Sequence, residues 1–170
     1  MTDTATPGTD EATIDPETRA LLLNDMSGLS KATIGRMVAA LADRMGIDPA
    51  LAPVDILVDK KANDGRGAIR LYINARGAAE LAKRHDLSDA DLDVDIRDAV
   101  VIVKVTKVDP ATGRRLMDVG ASPYKPDWPD SLAGAVKKAT TSAHRRATMR
   151  MVGVFLTEPA DPGSVVDIDG

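Results

Sequence analysis

The residues best equipped for chemistry lie in "DSLAGAVKKATTSAHRRATMRMVG", Asp130 to Gly153. There Lys137, Lys138, Arg145, Arg146 and Arg150 occur with no acid from Ser131 through Thr157. Exposed helix faces usually mix both signs, so an acid-free cationic run is suited to holding phosphate. A second cluster, "DADLDVDIRD", sets Asp89, Asp91, Asp93 and Asp95 at alternate positions. An EF-hand calcium loop needs Gly at its sixth position and Glu at its twelfth, where this chain has Val94 and Val100. Period-two alternation instead predicts the four acids on one face of a strand, within reach of Lys104 or Arg114 across a sheet. "NDGRG" is too short for a dinucleotide loop, and no Gly-Lys-Ser/Thr follows a glycine loop, so ATP use is not expected. His85 ends a helix and His144 sits among cations, and neither is spaced in sequence to form a Ser-His-Asp relay, so a catalytic role for either is not expected. The chain reads as a non-enzyme with no catalytic residue, no metal and no cofactor.

These clusters need elements to position them. With 170 residues, 44% of them apolar, the chain fits a single domain with one core. No cysteine is present, which excludes disulfides, thiolate zinc sites and cysteine nucleophiles. The net charge of -4 divides unevenly: Lys60 to Val152 carries 18 Lys/Arg against 12 Asp/Glu, or +6, and the rest carries 4 against 14, or -10. A basic body between acidic ends is compatible with a polyanionic partner despite the low overall pI. The start, "MTDTATPGTDEATIDPE", lacks the order of a signal peptide, and no long apolar run could span a bilayer, so a soluble cytoplasmic protein is expected.

Residues 1–16 and 158–170 read as a disordered acidic arm and tail flanking a domain over 17–157. Helical spacing runs through Leu22, Met26, Leu29, Met37, Leu41 and Met45, with Ser30 a predicted N-cap and Gly46 a stop. "PVDILVD" and "AIRLYIN" predict two strands around the turn-rich "KKANDGRG", and "ARGAAELAKRHDLS" predicts a short helix. From Leu92 to Gly120, alternation and a "DPATG" turn predict three antiparallel strands. The final helix should be capped by Asp130 or Ser131 and ended by Gly153. Its period puts Leu132, Ala135, Val136, Ala139, Ala143 and Ala147 on one face, and Lys138 with Arg145 on the opposite one. The expected fold is α+β: N-terminal helices, a β-hairpin, and a β-β-β-α core with the long basic helix packed on an antiparallel sheet.

The order of "LYINARGAAELAKRHDLS", "VVIVKVTKVDPATGRRLMDVGAS" and "AVKKATTSAHRRATMRMVG" resembles the single-strand annealing proteins of the Rad-fifty-two superfamily, including their small phage relatives. The likeness covers about Leu71 to Leu156, roughly half the chain. Asp118-Val119-Gly120 falls at the family's Asp-Val-Gly, Lys138-Ala139-Thr140-Thr141 at its Lys-x-Ala-Val-Thr region, and Arg145-Arg146-Ala147 at its Lys-Arg-Ala. The family has a further Arg where this chain has Met149, with Arg150 one position on. The resemblance implies ATP-independent binding of single-stranded DNA and annealing of complementary strands in phage homologous recombination. It further implies a homo-oligomeric ring or arc in the bacterial cytoplasm, with a phage exonuclease or host single-strand binding protein as further partners. By carry-over, Lys138, Arg145 and Arg146 lead the DNA contacts, and Arg150, Lys60, Lys61 and Arg66 support them.

Only four aromatics occur, Tyr72, Tyr124, Trp128 and Phe155, too few for the stacking platforms of many single-strand binders. Affinity would then rest on the sugar-phosphate backbone. The competing sequence reading is a regulator: residues 28–47, "GLSKATIGRMVAALADRMGI", resemble a helix-turn-helix unit whose recognition helix starts at "SKATIGR". An amphipathic packing helix fits the same pattern, and a regulator would leave the sheet and the basic helix without a role.

Overall fold

In the computed structural model, residues 14–60 and 67–154 are described. The chain is α+β. Helices α1 (Pro16–Leu23) and α2 (Lys31–Arg44) lead through a 3-10 turn at Pro49–Leu51 to an antiparallel hairpin of β1 (Val54–Asp59) and β2 (Ala68–Ile73). Helix α3 (Ala75–Arg84) precedes a sheet ordered β3-β4-β5, made by Ser88–Arg97, Val100–Val108 and Arg115–Pro123, and α4 (Ser131–Val152) follows. The expected tail, most of the expected arm, Lys61 and Arg66 lie outside the described residues. At the arm's inner end the expectation is corrected: Asp15 caps α1 through its side chain, and Pro16 is the first helical residue, where its missing N–H costs nothing.

Local signals account for most boundaries. The Ser30 side chain accepts the Thr33 N–H and starts α2; Gly153, at φ 76°, ends α4 in the left-handed region that suits glycine. In the β4–β5 turn, Asp109 accepts Thr112 Oγ1 at 2.7 Å and the Ala111 N–H at 2.9 Å. These contacts, the threonine hydroxyl first, hold its carboxyl below the ordinary aspartate value, as Thr18 does for Asp15. The α4 start differs from expectation. Asp130 makes no side-chain cap, and the Ser131 hydroxyl accepts the Lys125 N–H at 2.7 Å, so the chain before the helix curls back onto its first residue. Leu132, expected in the apolar seam, is 41% exposed because contact with the sheet begins only at Ala135.

Two cores result. The first joins the N-terminal helices to the hairpin and α3 through Met26, Ile34, Met37, Leu71, Ile73 and Leu81. The second packs Val101, Val103 and Val105 of β4 against Ala135, Ala139 and Ala143 of α4. Full burial of each such valine or leucine contributes about 1.5–3 kcal/mol. Met149 of α4 belongs to the first core, so the last helix links both.

The segment between α1 and α2 closes the open side of the hairpin. Asn24 Nδ2 donates to the Leu71 carbonyl at 3.2 Å and Asn24 Oδ1 accepts the Leu71 N–H at 3.1 Å, while the Met26 N–H donates to the Ile69 carbonyl at 2.7 Å. This pairing covers backbone that an edge strand would otherwise present to solvent. Among the described residues no helix is long and apolar enough to cross a membrane.

Candidate nucleic-acid interface

Helix α4 is packed on two sides. Toward the sheet, Ala135, Ala139, Ala143 and Ala147 are buried as the period predicted. Their partner is Gly120 on β5, where an added Cβ would stand 2.0 Å from the Ala139 carbonyl oxygen and 2.7 Å from the Ala143 nitrogen. Only a residue without a side chain permits that approach. Its neighbours hold the same helix. Arg146 Nη1 donates to the Val119 carbonyl at 3.0 Å, and Arg150 Nη1 pairs with Asp118 Oδ2 at 2.9 Å. Asp118-Val119-Gly120 is thus a docking strip for α4.

The other side meets β2 and α3. The Arg145 guanidinium lies over the Tyr72 ring, 4.1 Å from its centroid, with Nη1 3.7 Å from Met149 Sδ. Arg145 is 3% exposed. Sequence periodicity predicted an outward Arg145 sharing a face with Lys138, and the structure corrects this. A second layer covers the helix, and the stem and plane of arginine pack well against an aromatic ring.

Between α3 and α4 runs an open groove of about 260 Å³. Small residues of α3, among them Ala78 and Ala82, form one wall; Thr140, Thr141 and His144 of α4 form the other, with Arg145 and Lys107 reaching in from α4 and β4. Among the described residues that line it, none is acidic. Lys107 is buried because it continues the inward-facing series Val101, Val103, Val105. Its ammonium sits 2.7 Å from Asp89 Oδ1, and His144 Nδ1 lies 3.4 Å from the same oxygen.

Asp89 reaches this place through a register shift. Asp89 pairs with Lys107 and Asp91 with the adjacent Thr106, so Ala90 is an extra residue, a β-bulge. A bulge reverses the alternation. Asp89 therefore faces α4, whereas Asp93 pairs with Lys104 at 3.0 Å on the far face. The sequence expectation of four acids on one face holds for Asp91, Asp93 and Asp95 and is corrected for Asp89.

The remaining expected contacts are dispersed. Lys138 is exposed on α4, two turns before Arg145 and on the same side of the helix. Arg146 and Arg150 are turned toward β5. Lys60 is exposed just beyond Asp59, which pairs with Ala68; that is four positions along the hairpin from Tyr72, or about 13 Å. Lys107, Asp89 and Tyr72 were not among the expected site residues. A lysine at an inward position of the "VVIVKVTKV" alternation was the available signal for Lys107; the bulge had none.

The segment that the rival helix-turn-helix reading would use is built as a packing helix. Seven residues separate α1 from α2, against three or four in that motif, and they are bonded to β2. Ile34 and Met37 of α2 are buried in the first core, and Arg36 on its outer side lies 3.7 Å from Glu17. Comparison with known proteins finds no matching family model, no matching curated protein and no matching solved structure.

Proposed function

We propose that this chain binds single-stranded DNA through its backbone and anneals complementary strands without ATP, as a non-enzymatic protein of phage recombination. The observation that carries this reading is the α3–α4 groove, whose lining gathers Lys107, His144 and Arg145, with the Asp89 carboxylate at its mouth. Lys138 and Lys137 extend that cationic side toward the start of α4. Phosphate contact releases condensed counterions, so affinity should fall with salt by a slope of about 0.7 per contact. The scarcity of aromatics favours backbone contact over base stacking, leaving bases available to test a complement.

The same reading takes the working unit to be a homo-oligomeric ring or arc. Supporting it, Leu92, Val94 and Ile96 of β3 are 43–48% exposed on the α4 side of the sheet, beyond the helix's cover, and among the described residues β3 and β5 each pair on one edge only. Exposed apolar strand edges invite further pairing. The experiment is the annealing rate of complementary labelled oligonucleotides at low salt, without nucleotide or metal. Acceleration over the spontaneous rate is expected. No acceleration by protein confirmed as an oligomer overturns the proposal.

A further inference from the structure

We propose that the α3–α4 groove contains a phosphate-binding site in which Asp89 occupies, in the ligand-free protein, the position a phosphate oxygen would take. The Lys107 side chain is only 8% exposed. A buried ammonium requires a counter-charge, and Asp89 supplies it from a carboxylate that is itself 49% exposed on an edge strand. The same Asp89 oxygen faces His144, so one anionic oxygen lies between the Lys107 ammonium and the His144 imidazole at the mouth of a groove. Thr140 and Thr141 add hydroxyl groups to the lining, and Arg145 adds positive charge from beneath. A lysine and an imidazole converging on one oxygen, in a groove that also offers hydroxyl groups, suit a phosphate. The carboxylate is held in place by the bulge at Ala90, and it can swing out to water more easily than the buried lysine can.

The consequence is competition. A phosphate must displace Asp89 or share its donors, so the wild-type carboxylate weakens anion binding and keeps the groove neutralised when empty. The source of the phosphate, a backbone group of a DNA strand, rests on the function proposed above; the site itself does not.

The chain has two histidines, His85 and His144, and only His144 lines the groove, so imidazole NMR signals report the site with an internal control. The full-length protein is titrated with pyrophosphate and, separately, with a short oligothymidylate. A saturable shift of His144 without a matching shift of His85 is expected. Asp89→Asn, at an exposed position that preserves shape, should tighten binding at least about fivefold, the factor for removing one like charge some 4 Å away in water. A shift with pyrophosphate but not with the oligonucleotide supports the site with a free phosphate compound as its ligand. A silent His144 in both titrations, or Asp89→Asn binding no tighter than wild type, overturns the proposal. Annealing activity with a silent His144 removes this site and leaves the proposed function standing. A responsive His144 without annealing does the reverse.

Discussion

The two packed sides of α4 use opposite materials. Toward β5 the contact is alanine on glycine, with backbone near enough that a single methyl would collide. Toward β2 and α3 it is made by Arg145, Met149 and threonines, whose longer side chains hold the elements apart and leave a groove. Small residues close an interface, whereas long amphipathic ones span it without filling it. The closed side can only hold the helix. Under the proposed function, ligand contact falls to the open side, where the cations differ in duty: Arg145 supports the wall, Lys107 is charge-paired within it, and Lys138 is presented outward.

This contrast can be tested residue by residue. Gly120→Val should destabilise most, by about 3 kcal/mol, because the colliding atoms are backbone of α4 and cannot turn aside. Urea unfolding measures it, and a tolerated valine would mean that the helix is not clamped. Arg145→Ala should cost about 2 kcal/mol through the lost ring contact and the space left behind. Arg145→Met, which keeps a stem against Tyr72, should recover part of that loss. An Arg145→Ala protein as stable as wild type would contradict the buried role. Lys138→Ala should leave stability within about 0.5 kcal/mol yet weaken oligothymidylate binding and lower its salt slope by about 0.7. An unchanged slope would take Lys138 out of the interface.

The smallest effect concerns acid. Asp15 and Asp109 have carboxyls lowered by hydrogen bonds from Thr18 and Thr112, so the folded value lies below the unfolded one. Their contribution is present above the ordinary aspartate value of about 3.9 and is lost as pH falls through the folded value. Thr112→Val should reduce that acid sensitivity slightly, and melting curves between neutral pH and pH 3 would register it. An identical pH profile would show that the turn does not couple to folding.

The helices and strands were legible in the residues, as were the antiparallel meander and the alanine seam, because each is written in a short-range period or cap. Ser30 capping and Gly153 termination involve neighbours a few positions away. The candidate site was legible only in part. Hydrophobic periodicity reveals a buried face when that face is apolar, and the second buried face of α4 is lined by arginine, threonine and methionine. A basic run therefore read as an exposed face, although Arg145 lies under Tyr72 and Arg146 and Arg150 are committed to β5.

The chain's own order of turns, caps and alternations determined which elements form and that a cationic helix follows a three-stranded meander. The fold decided which of those cations are buried, which are paired and which face outward. Tyr72 and Arg145 are far apart in sequence, and the extra residue at Ala90 that brings Asp89 to Lys107 and His144 leaves no mark in composition or period. Charge is a property of the residue; its partner is set by packing between distant segments.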